Sequence, residues 1–504
     1  MRKRFEQQLE FGIIPISEVQ INHKTRHELP PLLVGLQYAF KNKELSESLF
    51  KVLEEKILYN KKKTGRKGMS LWEVMVLGLV RQTLNVDYDF LHDQANNHRE
   101  LRGILGVGRS DMEKGKQYHY QTLKDNVSLL DESTLNKLNE LIVKGAHDLI
   151  KKKEGVAVMS LSIKADSFVV LSDIHFPTDL NLLWDASRKC LDLISLLRQG
   201  DMNLRGWGQQ NKWYNKVRNS YREVSEIHRK KGKNYQERLS ASTRKYLKVC
   251  SLLSKKVKET FEDACIYLAS QGTKIEGEQL KVLRYYWQML DKHIDLVKRR
   301  ILLGEKIPHE EKVFSLFEPH VEWHNKGKAN GKIELGHNVL AATDQYHFIL
   351  YHEVYEQQVD KQRSIVIGRS IAENYTGPAY HLSSISFDRN FYSGPAKQAL
   401  EKLYDQVIMP KPGKKTKAQQ EQETQAAYQE KRKAHSAVEA NINQLEHHGL
   451  DKCPDKGMTG FKRYVAYSVL AYNIHRLGQY IMDQRRAQCP KAIHHYQSVW
   501  AVSG

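Results

Sequence analysis

Asp166, Asp388 and Glu439 are the three acidic side chains whose surroundings suit metal-dependent chemistry on a phosphodiester. Asp166 follows the β-rich run Val156-Ala157-Val158-Met159-Ser160-Leu161-Ser162-Ile163 and the pair Lys164-Ala165. Asp388 follows a similar run over 382–387, and Glu439 lies in an amphipathic helical pattern with Ala437, Val438, Ile442 and Leu445. Strands that end in a carboxylate place it at an edge where active sites form. In-line attack on a phosphodiester needs two divalent cations about 3.5–4 Å apart, one to activate the attacking hydroxyl and one to stabilise the leaving oxygen. Mg²⁺ (or Mn²⁺) suits such a set, because it takes few carboxylates and keeps positions for water and phosphate oxygens. Two strand-borne aspartates and a helix-borne glutamate meet that need.

Spacing alone does not single out this trio among 59 Asp and Glu. Asp360, after Gln357-Gln358-Val359, competes for the second position, and Asp388 is preferred because its strand is clearer. Asp173 and Asp179 read as surface or helix-capping residues. His447-His448 with Cys453, and His494-His495, match no standard zinc spacing and read as surface histidines.

The elements that must position these residues follow from periodicity. Residues 1–155 read as helical. Ser70 with Glu73 forms a capping box ahead of the apolar stripe Leu71, Val74, Met75 and Leu79. A long amphipathic helix is expected around Leu135, Leu138, Leu141 and Ile142. The period changes at 156, and after Asp166 a second strand is expected over 168–172, then a helix opened by Pro177-Thr178-Asp179. Residues 185–318 read as a basic helical insertion. Strand character returns at 332–336 and 339–342, with a turn at Asp344-Gln345 and a returning strand over 348–355. A helix from Ser393-Gly394-Pro395, a short strand at 407–409, a charged segment over 410–434 and C-terminal helices complete the chain. The expected organisation is 1–155 as an N-terminal DNA-binding or dimerisation region, 156–184 and 319–445 as two parts of one mixed α/β core, 185–318 as the insertion, and 446–504 as C-terminal helices.

Charge points to the partner. The 504-residue chain carries 79 Lys and Arg against 59 Asp and Glu, a formal net charge of +20. Such an excess favours an extended anion, and nucleic acid is the commonest. Within 198–258, 17 Lys and Arg face four Asp and Glu, with Trp207, Trp213, Tyr214, Tyr221, Tyr235 and Tyr246 interleaved. The basic residues would neutralise phosphates. The aromatics either stack on unpaired bases or form a buried seam. The residues assigned to DNA contact are Lys62, Lys63, Arg66 and Lys67 in the N-terminal region, and Lys212, Lys216, Arg218, Arg222, Arg229, Lys230 and Lys231 in the insertion. No apolar stretch approaches the roughly 18–20 residues of a membrane helix. The start of the chain lacks a secretory pattern, and the five cysteines are scattered with no Cys-x-x-Cys pair. A reducing cytoplasmic location is therefore expected.

The wording around the acidic trio resembles that of bacterial insertion-sequence transposases with a DDE site. Lys164-Ala165-Asp166-Ser167, followed by Pro177-Thr178-Asp179, is similar to their first-aspartate segment. Asp388-Arg389-Asn390-Phe391-Tyr392-Ser393 looks like their second, and Ala437-Val438-Glu439 with Asn443, Gly449-Leu450, Asn473 and Leu477 like their third. Gly65-Arg66-Lys67-Gly68-Met69-Ser70 resembles the opening of their N-terminal domain, and Lys326-Gly327-Lys328 with Glu334-Leu335-Gly336 resembles the ISNCY-type subgroup. The matching order covers nearly the whole chain. Three positions depart from the pattern: Asn390 for a glycine, His435 for an arginine, and Glu446 for a lysine. Basic contacts to the DNA end are then expected from Lys431, Arg432, Lys433 or Lys452, and Lys326, Lys328, Arg389 and His435 are further DNA-contact candidates.

The resemblance implies an RNase-H-like core, terminal inverted repeats and target double-stranded DNA as partners, Mg²⁺ as metal, and a homodimer that pairs two element ends. It implies that water attack at the ends is followed by attack of the freed 3′-hydroxyl on target DNA. A domesticated relative that only binds DNA, or a basic non-catalytic nucleic-acid-binding protein, are the alternatives.

Overall fold

Ser70 and Glu73 cap their helix reciprocally: the Glu73 amide donates to Ser70 Oγ (3.3 Å) and the Ser70 amide to Glu73 Oε2 (2.7 Å). The structure is a computed structural model that describes residues 2–5, 14–59, 68–108, 116–199, 206–270, 277–325, 333–356 and 360–488. The chain separates into two units, Met1–Asp173 with His324–Gly504, and Ile174–Trp323. The inserted unit thus spans wider limits than the 185–318 read from periodicity. Among the described residues no helix is long and apolar enough to cross a membrane.

The first unit opens with helices α1 (Leu29–Lys41), α2 (Lys43–Ile57), α3 (Leu71–Thr83), α4 (Tyr88–Asn97), α5 (Arg99–Ile104), α6 (Tyr120–Val127) and α7 (Glu132–Glu154). Every residue of α3 is buried, so its polar groups need partners. Arg81 pairs with Asp455 at 3.0 Å and lies over the Tyr88 ring, and Glu73 accepts from Tyr118 and Lys116. Asp131 caps α7 through the Thr134 amide (3.0 Å), and Gly155, at φ 68°, ends it in the left-handed conformation.

Strand β1 (Met159–Ser172) then runs unbroken for 14 residues. Two strands parted at Asp166 were expected; instead Asp166 lies within one. The cause is β3 (Ile333–Thr343), which follows β2 (Glu322–Asn325) and pairs antiparallel with β1 from Lys164↔Thr343 to Leu171↔Gly336. Ladder bonds carry the chain past the polar pair at 166–167. Gly336 is needed there, since a Cβ would meet the Val170 carbonyl oxygen at 1.9 Å. The two stretches expected at 332–336 and 339–342 also merge, into β3.

The remainder comprises β4 (Ile349–Tyr355), α12 (Asp360–Asn374), β5 (Tyr380–Phe387), α13 (Gly394–Leu400), β6 (Gln406–Ile408), α14 (Lys417–Thr424), α15 (Ala426–His435), α16 (Ala437–Leu445), β7 (Lys452–Cys453) and α17 (Gly457–Gln488). (Helices α8 to α11 belong to the second unit.) The sheet runs β4-β3-β1-β5-β6, with β3 antiparallel to both β1 and β4, and β5 parallel to both β1 and β6. β7 adds to the far end of β1. The fold is mixed α/β, with helices predominating.

Alternate residues of β1 serve two cores. Leu161, Ile163 and Ala165 join a cluster with Leu138 and Ile142 of α7 and Leu470 and Ile474 of α17. Phe168 and Val170 join another with Leu445 of α16 and Val465, Val469 and Tyr472 of α17. Helix α17 therefore feeds both clusters and is apolar around most of its circumference. Separate helices were expected over its 32 residues; burial on both sides makes it one.

In the second unit, α8 (Asp179–Gln199), α9 (Gln210–Lys230), α10 (Tyr235–Ser270) and α11 (Glu278–Val297) surround a core containing Trp207, Tyr246, Cys190, Cys250 and Leu290. Thr178 Oγ1 accepts the Asn181 amide at the head of α8. Trp184 stacks on Tyr221 at 5.6 Å, and Trp207 Nε1 donates to Thr260 Oγ1 (2.8 Å). Trp207 and Tyr246 are buried in this seam and have no face for base stacking, whereas Trp213, Tyr214, Tyr221 and Tyr235 are half-buried.

Burial pushes the imidazole pKa of His293 in this unit, and of His352 in β4, down to about 4. The unfolded chain takes up these protons near pH 6.5 and the folded chain only near pH 4. Stability from this source is complete above about pH 6.5 and is lost as pH falls toward 4, by up to about 3 kcal/mol per group. The melting temperature should therefore drop between about pH 7 and pH 5, and His293→Leu should flatten that dependence; an unchanged slope in the variant would contradict the assignment.

Candidate active site

Parallel pairing of β1 with β5 runs to the residues just before two of the three carboxylates. The register ends Lys164↔Ser386 and Ala165↔Phe387, and Asp166 and Asp388 follow that last pair on their two chains. Paired strands lie about 4.8 Å apart, and residues opposite one another in a ladder share a face. β5 stops at Phe387, whose ring packs on Phe391 (5.5 Å) as the chain turns through Arg389–Phe391. Asp388 is left exposed at that lip, and Asp166 is half-buried beside it, its Oδ1 accepting the Ser167 amide (2.7 Å). Asp166 is thus uncovered because its neighbour ends, although its own strand continues. Asn390 keeps a negative φ, so its departure from the glycine of the resemblance carries no left-handed strain.

Helices α15 and α16 bring the third carboxylate to the same level. Lys431 Nζ donates to Ser162 Oγ (2.9 Å), and His435 Nδ1 bonds Ser386 Oγ (3.0 Å), the residue opposite Lys164. Each step of four helical residues advances about 6 Å, and each step of two strand residues about 6.6 Å. The series Lys431, His435, Glu439 therefore keeps pace with Ser162, Lys164, Asp166. Ser436 joins the helices with helical angles (φ −56°, ψ −20°), which carries the direction onward. Helix α16 is pinned by Asn441, which donates to Thr343 Oγ1 (3.1 Å) and accepts from His347 Nδ1 (2.8 Å) and the Tyr472 hydroxyl (3.4 Å). Glu439 stands exposed in the first turn.

Asp166, Asp388 and Glu439 do not form a group whose ligand atoms all lie within 4.8 Å of one another. Among the described residues, the one group of three candidate ligands whose atoms all lie within 4.8 Å is elsewhere, at Glu28, His448 and His475. Like charges repel when no cation lies between them, and a cation pair about 3.5–4 Å apart spans a wider ligand set than a single ion does. An all-oxygen donor set of this kind suits Mg²⁺.

Basic groups border the trio. Lys164 is two residues before Asp166 on the same face, and burial lowers its ammonium pKa, a shift that Asp344 opposes and Lys431 reinforces. His435 is lowered by burial, with Asp388 opposing and Lys164 adding to the shift. Its Nε2 is buried without a hydrogen-bond partner. Lys164 was missed as a basic neighbour, although the two-residue spacing to Asp166 in a strand signalled it. Arg389, beside Asp388, and Lys433 are exposed, and Arg432 is half-buried.

Other candidates fall elsewhere. Lys62, Lys63, Arg66, Lys67, Lys326 and Lys328 lie outside the described residues. On α9 and the turn after it, Lys212, Lys216, Arg222, Arg229, Lys230 and Lys231 are exposed and Arg218 is half-buried; Lys230 pairs with Glu226. Asp360 accepts the Tyr355 hydroxyl. Asp173 pairs with Lys452 and Asp179 with Arg300. His448, read as a surface histidine, is buried, because the chain kinks inward at Gly449 (φ 97°).

The chain matches no protein-family model, no curated protein and no solved structure. Asn441→Ala would leave Thr343 and His347 without their bonds to α16 and should cost about 1–3 kcal/mol in chemical denaturation; a cost near zero would show that α16 is held some other way.

Proposed function

We propose that this protein is a DNA transposase whose active site is Asp166, Asp388 and Glu439 on an RNase-H-like core. The single observation that carries the reading is the β1–β5 register, whose last pair, Ala165↔Phe387, is followed on each chain by Asp166 and Asp388. The strand order β4-β3-β1-β5-β6 supports the core: three antiparallel strands continue into two parallel ones, with α12 and α13 as the intervening helices. The four-residue series along α15 and α16, ending in Glu439, supports the third ligand. The net charge of +20 supports DNA as partner.

In this reading Asp166, Asp388 and Glu439 would hold Mg²⁺ (or Mn²⁺), which when bound would activate the attacking oxygen and stabilise the leaving one. Lys164, Lys431, His435 and Arg389 bind the phosphates on either side of the cut and keep the scissile bond in line. Water attacks a phosphodiester at each element end and the element's 3′-oxygen leaves as a hydroxyl; that 3′-hydroxyl then attacks a target phosphodiester, whose own 3′-oxygen leaves as the new bond forms. Two ends must be processed together, which calls for a homodimer. The exposed basic residues of α9 supply sequence-independent grip on the duplex. The protein works in the bacterial cytoplasm.

The test uses a DNA fragment carrying the inverted repeats that bracket the gene. Asp388→Asn should abolish Mg²⁺-dependent strand cleavage while changing affinity for the same DNA by less than about threefold, well under 1 kcal/mol. Normal cleavage by the variant would overturn the assignment. Binding without cleavage by the wild-type protein would leave the DNA-binding-only alternative in its place. Alanine at Lys212, Lys216, Arg222 and Arg229 together should reduce the slope of log affinity against log salt by about 0.9 for each phosphate no longer neutralised; an unaltered slope would remove α9 from the DNA interface.

A further inference from the structure

Away from the carboxylates, Glu28, His448 and His475 place one ligand atom each within 4.8 Å of the other two. Three separate elements build this cluster. Glu28 immediately precedes α1, His475 lies on α17, and His448 sits in the kink that follows α16. Two glycines let the helices approach closely enough: a Cβ at Gly478 would meet the Pro31 carbonyl oxygen at 1.7 Å, and one at Gly35 would meet that of Ile474 at 2.2 Å. Gly478 is one turn beyond His475, and Pro31 one turn beyond Glu28, so this crossing sets the Glu28–His475 distance.

Both imidazoles are buried, at 5% and 4% exposure, with ring centroids 4.9 Å apart. His448 Nδ1 is 3.1 Å from the Thr83 carbonyl oxygen. A carbonyl only accepts, so Nδ1 carries the proton and Nε2 keeps its lone pair, the tautomer that metal-bound histidines adopt. His475 Nε2 and Glu28 Oε2 lie 2.8 Å apart as an ion pair, so two of the three ligand atoms are already brought together. Glu28, the exposed member of the cluster, lines an open cleft of about 280 Å³ with Thr25, Arg26, His27, Pro31 and Gln479.

We infer that Glu28, His448 and His475 form a transition-metal site, best suited to Zn²⁺, that ties α1 and α17 to the turn behind the Glu439 helix. Imidazole nitrogens favour Zn²⁺ over Mg²⁺ or Ca²⁺. Tetrahedral bonds of about 2.0–2.2 Å set ligand atoms roughly 3.3–3.5 Å apart, between the 2.8 Å of the Glu28–His475 pair and the 4.8 Å limit of the cluster, and two histidines with one carboxylate leave a fourth position for water. His448 is nine residues after Glu439, so the clip holds the trailing end of that helix. The inference does not depend on the transposase reading.

Chelator-stripped full-length protein should bind about one equivalent of Zn²⁺ with a rise in melting temperature, and Co²⁺ in its place should give the visible bands of a tetrahedral site. Glu28→Gln and His475→Gln should each weaken uptake by about tenfold or more, while Asp388→Asn should retain the full equivalent. The Glu28 side chain is 57% exposed, so its variant should fold even where His475→Gln does not. Absence of stoichiometric binding, or uptake unchanged in Glu28→Gln, would overturn the site; loss of the equivalent in Asp388→Asn would move it to the carboxylates.

Discussion

The pairing of β1 with β5 is the constraint on which the rest of the first unit rests. It joins residues more than 200 positions apart, and its register decides which side chains of each strand share a face. A slip of one residue would turn Asp166 away from Asp388 and drive Leu161 and Ile163 out of the core. Burial of those apolar residues, with Ala165, therefore protects the placement of the polar ones between them. Ser162 and Ser384 reinforce the same register through their hydroxyls, 2.7 Å apart.

A second constraint is electrostatic. Two aspartates on adjacent strands repel, and such a pair persists only where cations offset it. Lys164 and Lys431 border the β1–β5 ladder and supply part of that compensation, whereas burial lowers the His435 imidazole pKa and disfavours its charged form. The same ladder explains how a single helical path delivers both positive groups and a carboxylate, since its four-residue repeat nearly matches the strand's two-residue repeat.

Much of this was legible in the residues. The capping box at Ser70, the start of α8 at Pro177-Thr178-Asp179, the turn after Thr343 and the strand ending at Phe387 depend on neighbours a few positions away, and each forms. The continuity of β1 was not legible, because it depends on ladder bonds to a strand more than 160 residues later. Nor was the single long α17, whose apolar surface faces two cores at once and so shows no one-sided stripe. His448 looked like a surface residue because its burial follows from a backbone kink that no periodicity records.

By itself the sequence determined the local signals: residue types, charge, caps, turns and the alternation that marks a strand. These act over a few residues, through hydrogen bonds and side-chain spacing that any short segment carries with it. Tertiary structure alone decided which strands became neighbours, that Asp166 and Asp388 would follow the same ladder pair, and that Glu28, His448 and His475 would meet. Those outcomes arise from burying apolar surface between distant segments, a driving force without direction that acquires one only when the whole core closes.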